Sequence, residues 1–352
     1  MNNQRIMSFD ILKIMCMVMV IILHLTSYGI QNISIEFMSL PYWVILILKS
    51  FSIVAVNCFI LISGYFLCQS NNRLKKVIKL WIQVVTYSIG IYLVLACLPG
   101  SGVHFSVQQL IRHMFPLLTN QYWFFTYYIL LFLIAPMLNI FIRNVEQTQF
   151  KGYLFILILI FSVVPTCNVF NDNFGTNSGY SLLWFIVLYL IASYIRLYSI
   201  KGKYWGYAYI ILSLLLLCIQ LFGDSIGQNI SIISYIKNLA FQYNSIFVLG
   251  ASVALFMTAS KSKLYSSNGK INLLISNLSS LSFAVYLFHE NSSFRGYLWN
   301  NIVDLQRFIN PEFIFLLMVP VIIFVIFATG IVIEIVRRGI LKFFRKTIKM
   351  VT

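Results

Sequence analysis

The sequence predicts an all-α integral membrane protein: a polytopic bundle of about ten transmembrane helices with both termini cytoplasmic. Three observations carry the prediction. Of 352 residues, 60% are hydrophobic and only 10% are charged, and mean hydropathy is +0.87, a composition outside the soluble globular range. Apolar windows long enough to cross a hydrocarbon core of about 30 Å recur along the whole chain. Lysine and arginine gather in alternate connections between those windows, as the positive-inside rule requires of a multi-pass protein.

The windows run over 8–30, 42–67, 77–98, 121–142, 150–170, 180–199, 204–222, 235–258, 271–290 and 312–336. Lys49 interrupts the second, and serine and asparagine are dense in the ninth. Three longer connections, Pro99 to Asn120, Asn171 to Gly179 and Glu290 to Pro311, fall on the outer side. The first carries Val107, Leu110, Ile111 and Met114 at helical spacing, which predicts an interfacial helix on the outer leaflet. His104 and His113 in the same stretch are read as solvated loop residues. No linker or soluble insertion divides the chain, so residues 1–352 are expected to form a single membrane-embedded domain.

A formal net charge of +16 does not point to nucleic acid, because the basic residues form no soluble patch. The inner connections hold Arg73, Lys75, Lys76 and Lys79, then Arg143 and Lys151, Arg196, Lys201 and Lys203, Lys261, Lys263 and Lys270, and the tail from Arg337 to Lys349. The outer ones hold Arg112, Arg295 and Arg307, with Lys237 at a helix start. The first window is too long and too charged inside for a signal-peptide core, so it is expected to be retained. Six single cysteines on separate spans, without paired spacing, fit apolar packing and no metal site.

The first window is the most informative, because Asp10, Lys13 and His24 lie inside an apolar run. Ionisable groups at bilayer depth are costly and mark interior or functional positions. Lys13 and His24 stand about three turns apart on nearly one helix face, roughly 16 Å along the axis, comparable to an extended pantetheine arm. A cationic mouth and a deeper imidazole are thus placed to grip two ends of one long ligand. The plainer alternative is an Asp10–Lys13 pair near the headgroups, with His24 hydrogen-bonded in the core.

Further segments join this pattern. Asn57-Cys58-Phe59-Ile60-Leu61-Ile62-Ser63-Gly64-Tyr65 closes the second window, and Arg73-Leu74-Lys75-Lys76 follows it. Tyr122-Trp123-Phe124 opens the fourth, Ser181 to Phe185 the sixth, and the ninth ends Phe288-His289-Glu290-Asn291. With Arg5 to Lys13 and His24, these segments resemble the integral-membrane acyltransferase 3 family, especially its bacterial members that O-acetylate surface polysaccharides. The resemblance runs from Arg5 to about Trp299. Where the family usually carries arginine on the first helix this chain has Lys13, which keeps the charge and loses the planar fork.

The resemblance implies transfer of an acyl group, with acetyl preferred, from cytoplasmic acyl-CoA to a hydroxyl of an extracytoplasmic or lipid-linked glycan. It implies a bacterial cytoplasmic membrane location and no permanently bound cofactor, acetyl-CoA being the donor substrate. His24 falls on the family's essential histidine, and Lys13, Arg73 and Lys75 on its basic positions for the CoA phosphates. The residue types suit the chemistry: imidazole can take a hydroxyl proton or be transiently acylated, and basic side chains hold phosphate.

His289 and Glu290 are candidates for the acceptor side; adjacent helical residues point about 100° apart, so both reach one site only if the helix ends there. Asn57, Lys49 and Trp123 complete the acceptor-side candidates. Lys49 must either snorkel or pair in the core, and Trp123 fits an aromatic belt as well as a sugar-stacking face. Ser63-Gly64-Tyr65 reads as a close-packing element, and Glu334 as a local ion-pair partner of Arg337 and Arg338. The alternative function is a transporter or flippase of lipid-linked glycan, for which repeated Gly- or Pro-broken helices are expected and not found.

Overall fold

The computed structural model describes residues 7–70, 74–168, 175–198, 200–226, 230–262 and 269–351, and among them every regular element is helical. The elements are α1 (Met7–Leu25), α2 (Leu40–Ser52), α3 (Ala55–Leu67), α4 (Leu74–Cys97), α5 (Val107–Met114), α6 (Trp123–Asn144), α7 (Gln147–Cys167), α8 (Leu182–Leu197), α9 (Trp205–Ile226), α10 (Ser231–Ala240), α11 (Ile246–Lys261), α12 (Gly269–His289) and α13 (Glu312–Val351). Eight helical stretches among the described residues are long and apolar enough to span a bilayer; α8 and α11 are apolar but shorter. The protein is an all-α, multi-pass membrane bundle.

The chain forms two compact units, one of residues 1–42, 84–115 and 263–352, the other of 43–83 and 116–262. In the first, α12 packs against both α1 and α13. Gly330 makes the second crossing possible: a Cβ there would lie 2.7 Å from Val285 Cα, so only a bare backbone fits. In the second unit α3 packs on α8, α6 on α8, and α11 on α3 and α9. Gly64 sits at the first of these contacts, where a Cβ would lie 3.0 Å from that of Ala192 and 3.1 Å from Tyr189 Cα. The Ser63-Gly64-Tyr65 segment is therefore a packing element, with Ser63 Oγ 2.9 Å from Tyr128 Oη and Tyr65 Oη accepting from Arg196 at 3.0 Å.

Three expectations are corrected. The first window ends as a helix at Leu25, not Ile30, and a turn follows in which the amides of Ser27, Tyr28 and Gly29 all reach His24 O. The second and eighth windows are each broken. In 42–67 the backbone steps between Ser52 and Ala55. In 235–258 it breaks at 241–245, where buried Asn57 and Asn244 bind backbone and Ser245 caps α11 through Phe247 N. Side-chain amides that satisfy freed backbone groups make such breaks tolerable inside an apolar bundle.

α5 forms the expected helix, with Val107, Ile111 and Met114 exposed on one face. His113 is not solvated. It is 1% exposed, stacked on Tyr92 at 4.6 Å, with Nδ1 2.8 Å from Ser88 Oγ and Nε2 3.0 Å from Ser293 Oγ. Gln108, Gln109 and Arg112 of the same helix stay exposed, whereas the buried His113 ring finds a hydroxyl at each nitrogen.

Candidate functional site

The site lies in the first unit, at the C-terminal ends of α1 and α12. His24 occupies the last turn of α1 and His289 the last residue of α12, so Glu290 leaves the helix and is free to turn toward the same place. The ring centroids of His24 and His289 are 4.9 Å apart, and His24 Nδ1 stands 3.4 Å from Glu290 Oε2. That approach is close enough for charge attraction but lacks hydrogen-bond geometry, and both atoms are buried without a hydrogen-bond partner.

The other carboxylate oxygen is held firmly. Arg295 Nη1 donates to Glu290 Oε1 at 2.7 Å and to Tyr28 Oη at 3.1 Å, and its guanidinium lies 4.5 Å from the Tyr28 ring centroid. Tyr28 is one turn past His24, and the two rings are 5.5 Å apart. His289 is 0% exposed; its Nδ1 donates to Val285 O at 2.5 Å, which fixes the tautomer and leaves Nε2 as a buried lone pair with no partner. Buried polar atoms are nearly always satisfied. Here three unsatisfied atoms of ionisable side chains, from His24, His289 and Glu290, converge in one place.

Lys13 stands nearer the start of α1, its Nζ 3.7 Å from Asp10 Oδ1, and is about one-third exposed. Asp10 is buried and accepts a hydrogen bond from Ser279 Oγ of α12 at 2.7 Å, so the Asp10–Lys13 pair is present and anchored to the neighbouring helix. In the C-terminal half of α13, Glu334 accepts from Arg337, Arg338 and Tyr87 at 2.7 to 3.0 Å, which makes it the ion-pair centre expected. Arg73 lies outside the described residues, and of Lys75 only the helical backbone in α4 is described.

The remaining sequence candidates belong to the second unit. Asn57 is fully buried, its Nδ2 donating to Tyr243 O at 2.7 Å and its Oδ1 accepting from Trp184 Nε1 at 3.1 Å. Both ends of the amide are thus occupied by protein. Trp123 packs 4.5 Å from Tyr180 and stacks on Tyr243 at 6.1 Å. Lys49 places its ammonium 4.9 Å from the Phe241 ring centroid, a cation–π contact inside the bundle.

Arg295 and Tyr28 are members of this environment that sequence reasoning did not single out. Tyr28 carried a signal, since it lies one turn after His24; Arg295 looked like any outer-loop cation, and its position five residues after Glu290 was the only hint.

A family model described as an acyltransferase domain, that of acyltransferase 3, matches residues 6–335. The chain belongs to that family. No curated protein and no solved structure matches it. The match covers α1 to most of α13, so this membrane acyltransferase carries its His24, His289, Glu290 and Arg295 cluster wholly inside the family region.

Proposed function

We propose that this acyltransferase moves an acyl group, preferably acetyl, from cytoplasmic acyl-CoA to a hydroxyl of an extracytoplasmic or lipid-linked glycan, with His24 as the catalytic base. The observation that supports it best is the His24–Glu290–Arg295 chain. A carboxylate beside Nδ1 holds the proton on that nitrogen and turns Nε2 into the free base, and Arg295 fixes the carboxylate in turn. A distance of 3.4 Å is in keeping with a contact that tightens when substrate binds.

In the reaction the acceptor oxygen attacks the thioester carbonyl while His24 Nε2 takes its proton. The carbon–sulfur bond then breaks, the proton passes to the leaving thiolate, and the products are the O-acyl ester and CoA. His289, with an unpartnered Nε2 beside His24, would accept a hydrogen bond from a neighbouring hydroxyl of the acceptor. Lys13, Arg73 and Lys75 hold the CoA phosphates on the cytoplasmic side. The roughly 16 Å along α1 between Lys13 and His24 is the length of a threaded pantetheine arm.

With both termini cytoplasmic, donor and acceptor would enter from opposite faces. Sealed right-side-out and inverted vesicles with radiolabelled acetyl-CoA test this. Label should be consumed only from the cytoplasmic face and appear in glycan on the other; equal use from both faces of intact vesicles would rule the scheme out. Within the second unit Asn57 and Trp123 brace the Tyr243 and Trp184 aromatic cluster, and Lys49 is held by its contact with Phe241.

A further inference from the structure

Up to Arg338, α13 is tied to its neighbours. Glu334 accepts from Arg337 and Arg338, and Arg338 Nη2 donates to Ser280 O of α12 at 2.7 Å. Beyond that clamp the surroundings change. At Gly339 nothing lies within 4 Å of the position a Cβ would take. Ile340, Leu341, Lys342 and Phe343 are all exposed, Ile340 by 51% and Phe343 by 68%. The backbone nevertheless stays helical to Val351.

The 40 residues of α13 make about 60 Å of helix, which a tilt of about 40° shortens only to about 46 Å against a hydrocarbon core of about 30 Å. The surplus lies at the C-terminal end. From Phe313 to Val336 the sole ionisable residue is Glu334, whereas residues 337–352 contain Arg337, Arg338, Lys342, Arg345, Lys346 and Lys349 and no acidic residue. In the sequence, apolar residues recur at 340, 341, 344, 348 and 351 and basic ones at 338, 342, 345, 346 and 349. Steps of three and four separate an apolar stripe from a basic one in a helix. Such a helix standing straight out into water would expose its apolar stripe and gain nothing from its charge. Lying in the plane of a membrane, it buries the first and sets the second among headgroups.

We propose that the segment after Gly339 is an interfacial anchor, which lies on the bilayer surface and binds the headgroups of anionic phospholipid. Gly339 supplies the bend, since a position without a side chain or close neighbours is where a long helix turns most readily. Two features commit the occupant to lipid. The segment continues a membrane-spanning helix, so the bilayer surface is the boundary it meets first. Its charge is of one sign, and each juxtamembrane lysine or arginine adds to the attraction of an anionic surface. A soluble phosphate compound would answer the charge and leave the apolar stripe uncovered. A second copy of the segment would cover the stripe and set like charges side by side.

The test is amide hydrogen exchange over residues 340–351 of the full chain, held singly in lipid nanodiscs. In discs that contain phosphatidylglycerol the segment should exchange about tenfold or more slowly than in discs of phosphatidylcholine alone. Raising salt to about 0.5 M should remove most of that difference, because attraction to a charged surface is screened. Replacing four cations together, by Lys342→Gln, Arg345→Gln, Lys346→Gln and Lys349→Gln, should abolish it while thermal unfolding of the bundle stays as in the wild type. Equal exchange in the two lipids, or a difference that survives both salt and the fourfold replacement, would overturn the anchor. So would slowing in phosphatidylcholine discs that appears only on adding free CoA, which would give the cations to a soluble phosphate. Slowing that requires two chains in one disc would give the stripe to self-association and overturn it equally.

Discussion

The two units bury different polarity: single unsatisfied atoms occur in both, Trp205 Nε1 and Asn244 Oδ1 among them in the second, but among the described residues only the first gathers ionisable ones. In the second, polar side chains close on one another: Asn57 bridges Trp184 and the Tyr243 carbonyl, and Asn139 donates to Leu67 O at 3.2 Å while accepting from Tyr189 Oη at 2.6 Å. Each amide has both ends engaged. In the first unit the ends of α1 and α12 bring two imidazoles and a carboxylate together and leave an atom of each unsatisfied. Satisfied networks specify a fold, whereas an unsatisfied ionisable cluster costs stability and persists where a ligand completes it. The difference separates scaffold from site without reference to any substrate.

The sharpest way to break that distinction is His24→Ala. Loss of a positioned proton-transfer group costs about 10² to 10⁴ in rate, while no hydrogen bond of His24 Nδ1 is lost and only its ring contacts with His289 and Tyr28 are given up. Transfer of label from acetyl-CoA should collapse with the melting temperature in detergent nearly unchanged. Retention of near wild-type transfer would remove His24 from the mechanism and dissolve the comparison.

Glu290→Gln comes next. An amide keeps the shape but no longer holds the Nδ1 proton of His24 or balances Arg295, so the rate should fall by roughly 10 to 100-fold, as for outer partners that orient a histidine. The pH–rate profile should shift with it, which a merely structural change would not produce. A loss of stability without any change in the profile would assign Glu290 to the Arg295 and Tyr28 clamp alone.

Asn57→Ala asks the converse question of the second unit. It strands a buried indole N–H and a backbone carbonyl and should cost about 1 to 3 kcal/mol of stability, read by thermal or denaturant unfolding in detergent. The activity that remains per folded molecule should be close to wild type. A large kinetic loss at unchanged stability would mean that the amide meets substrate and that the second unit is more than scaffold.

Much of this contrast was legible in sequence, and the exceptions have physical causes. The apolar windows located the spans because lipid tolerates so few charges, and His289 and Glu290 could be read as reaching one site only if the helix ended between them, as it does. The breaks at 53–54 and 241–245 were hidden: Ile53 and Val54 are as apolar as their neighbours, and Tyr243 gives no local sign that Asn57, far off in the chain, binds its carbonyl. Arg295 was read for its side of the membrane only, since a loop's path sets which carboxylate its cation meets. His113 was misread because a histidine in a polar stretch looks solvated until the helix that carries it is laid against Ser88, Tyr92 and Ser293.

That histidine supplies the smallest effect and the finest probe of the first unit. Buried between two serine hydroxyls and a tyrosine face, the His113 ring is held neutral, and burial lowers its pKa from 6.5 to about 4. In the unfolded chain the same ring takes its proton near 6.5. Between those values the unfolded state binds more protons, so the stability tied to neutral His113 is whole above about pH 6.5 and is lost as pH falls toward 4. From pH 7.5 to 5.5 the loss should be about 1 kcal/mol, seen as a fall in melting temperature. His113→Gln, which can still bond both serines, should flatten that slope. Because Ser293 shares a turn with Asn291, whose carbonyl accepts from Arg295 N at 2.8 Å, protonating the folded ring, near pH 4, should also loosen the Arg295 end of the site. From pH 7.5 to 5.5 activity per folded molecule should therefore hold while stability falls, and the fall in stability should be less steep in His113→Gln. An unchanged slope in the variant would show that α5 is a passive cover, leaving the site to be held by α1 and α12 alone.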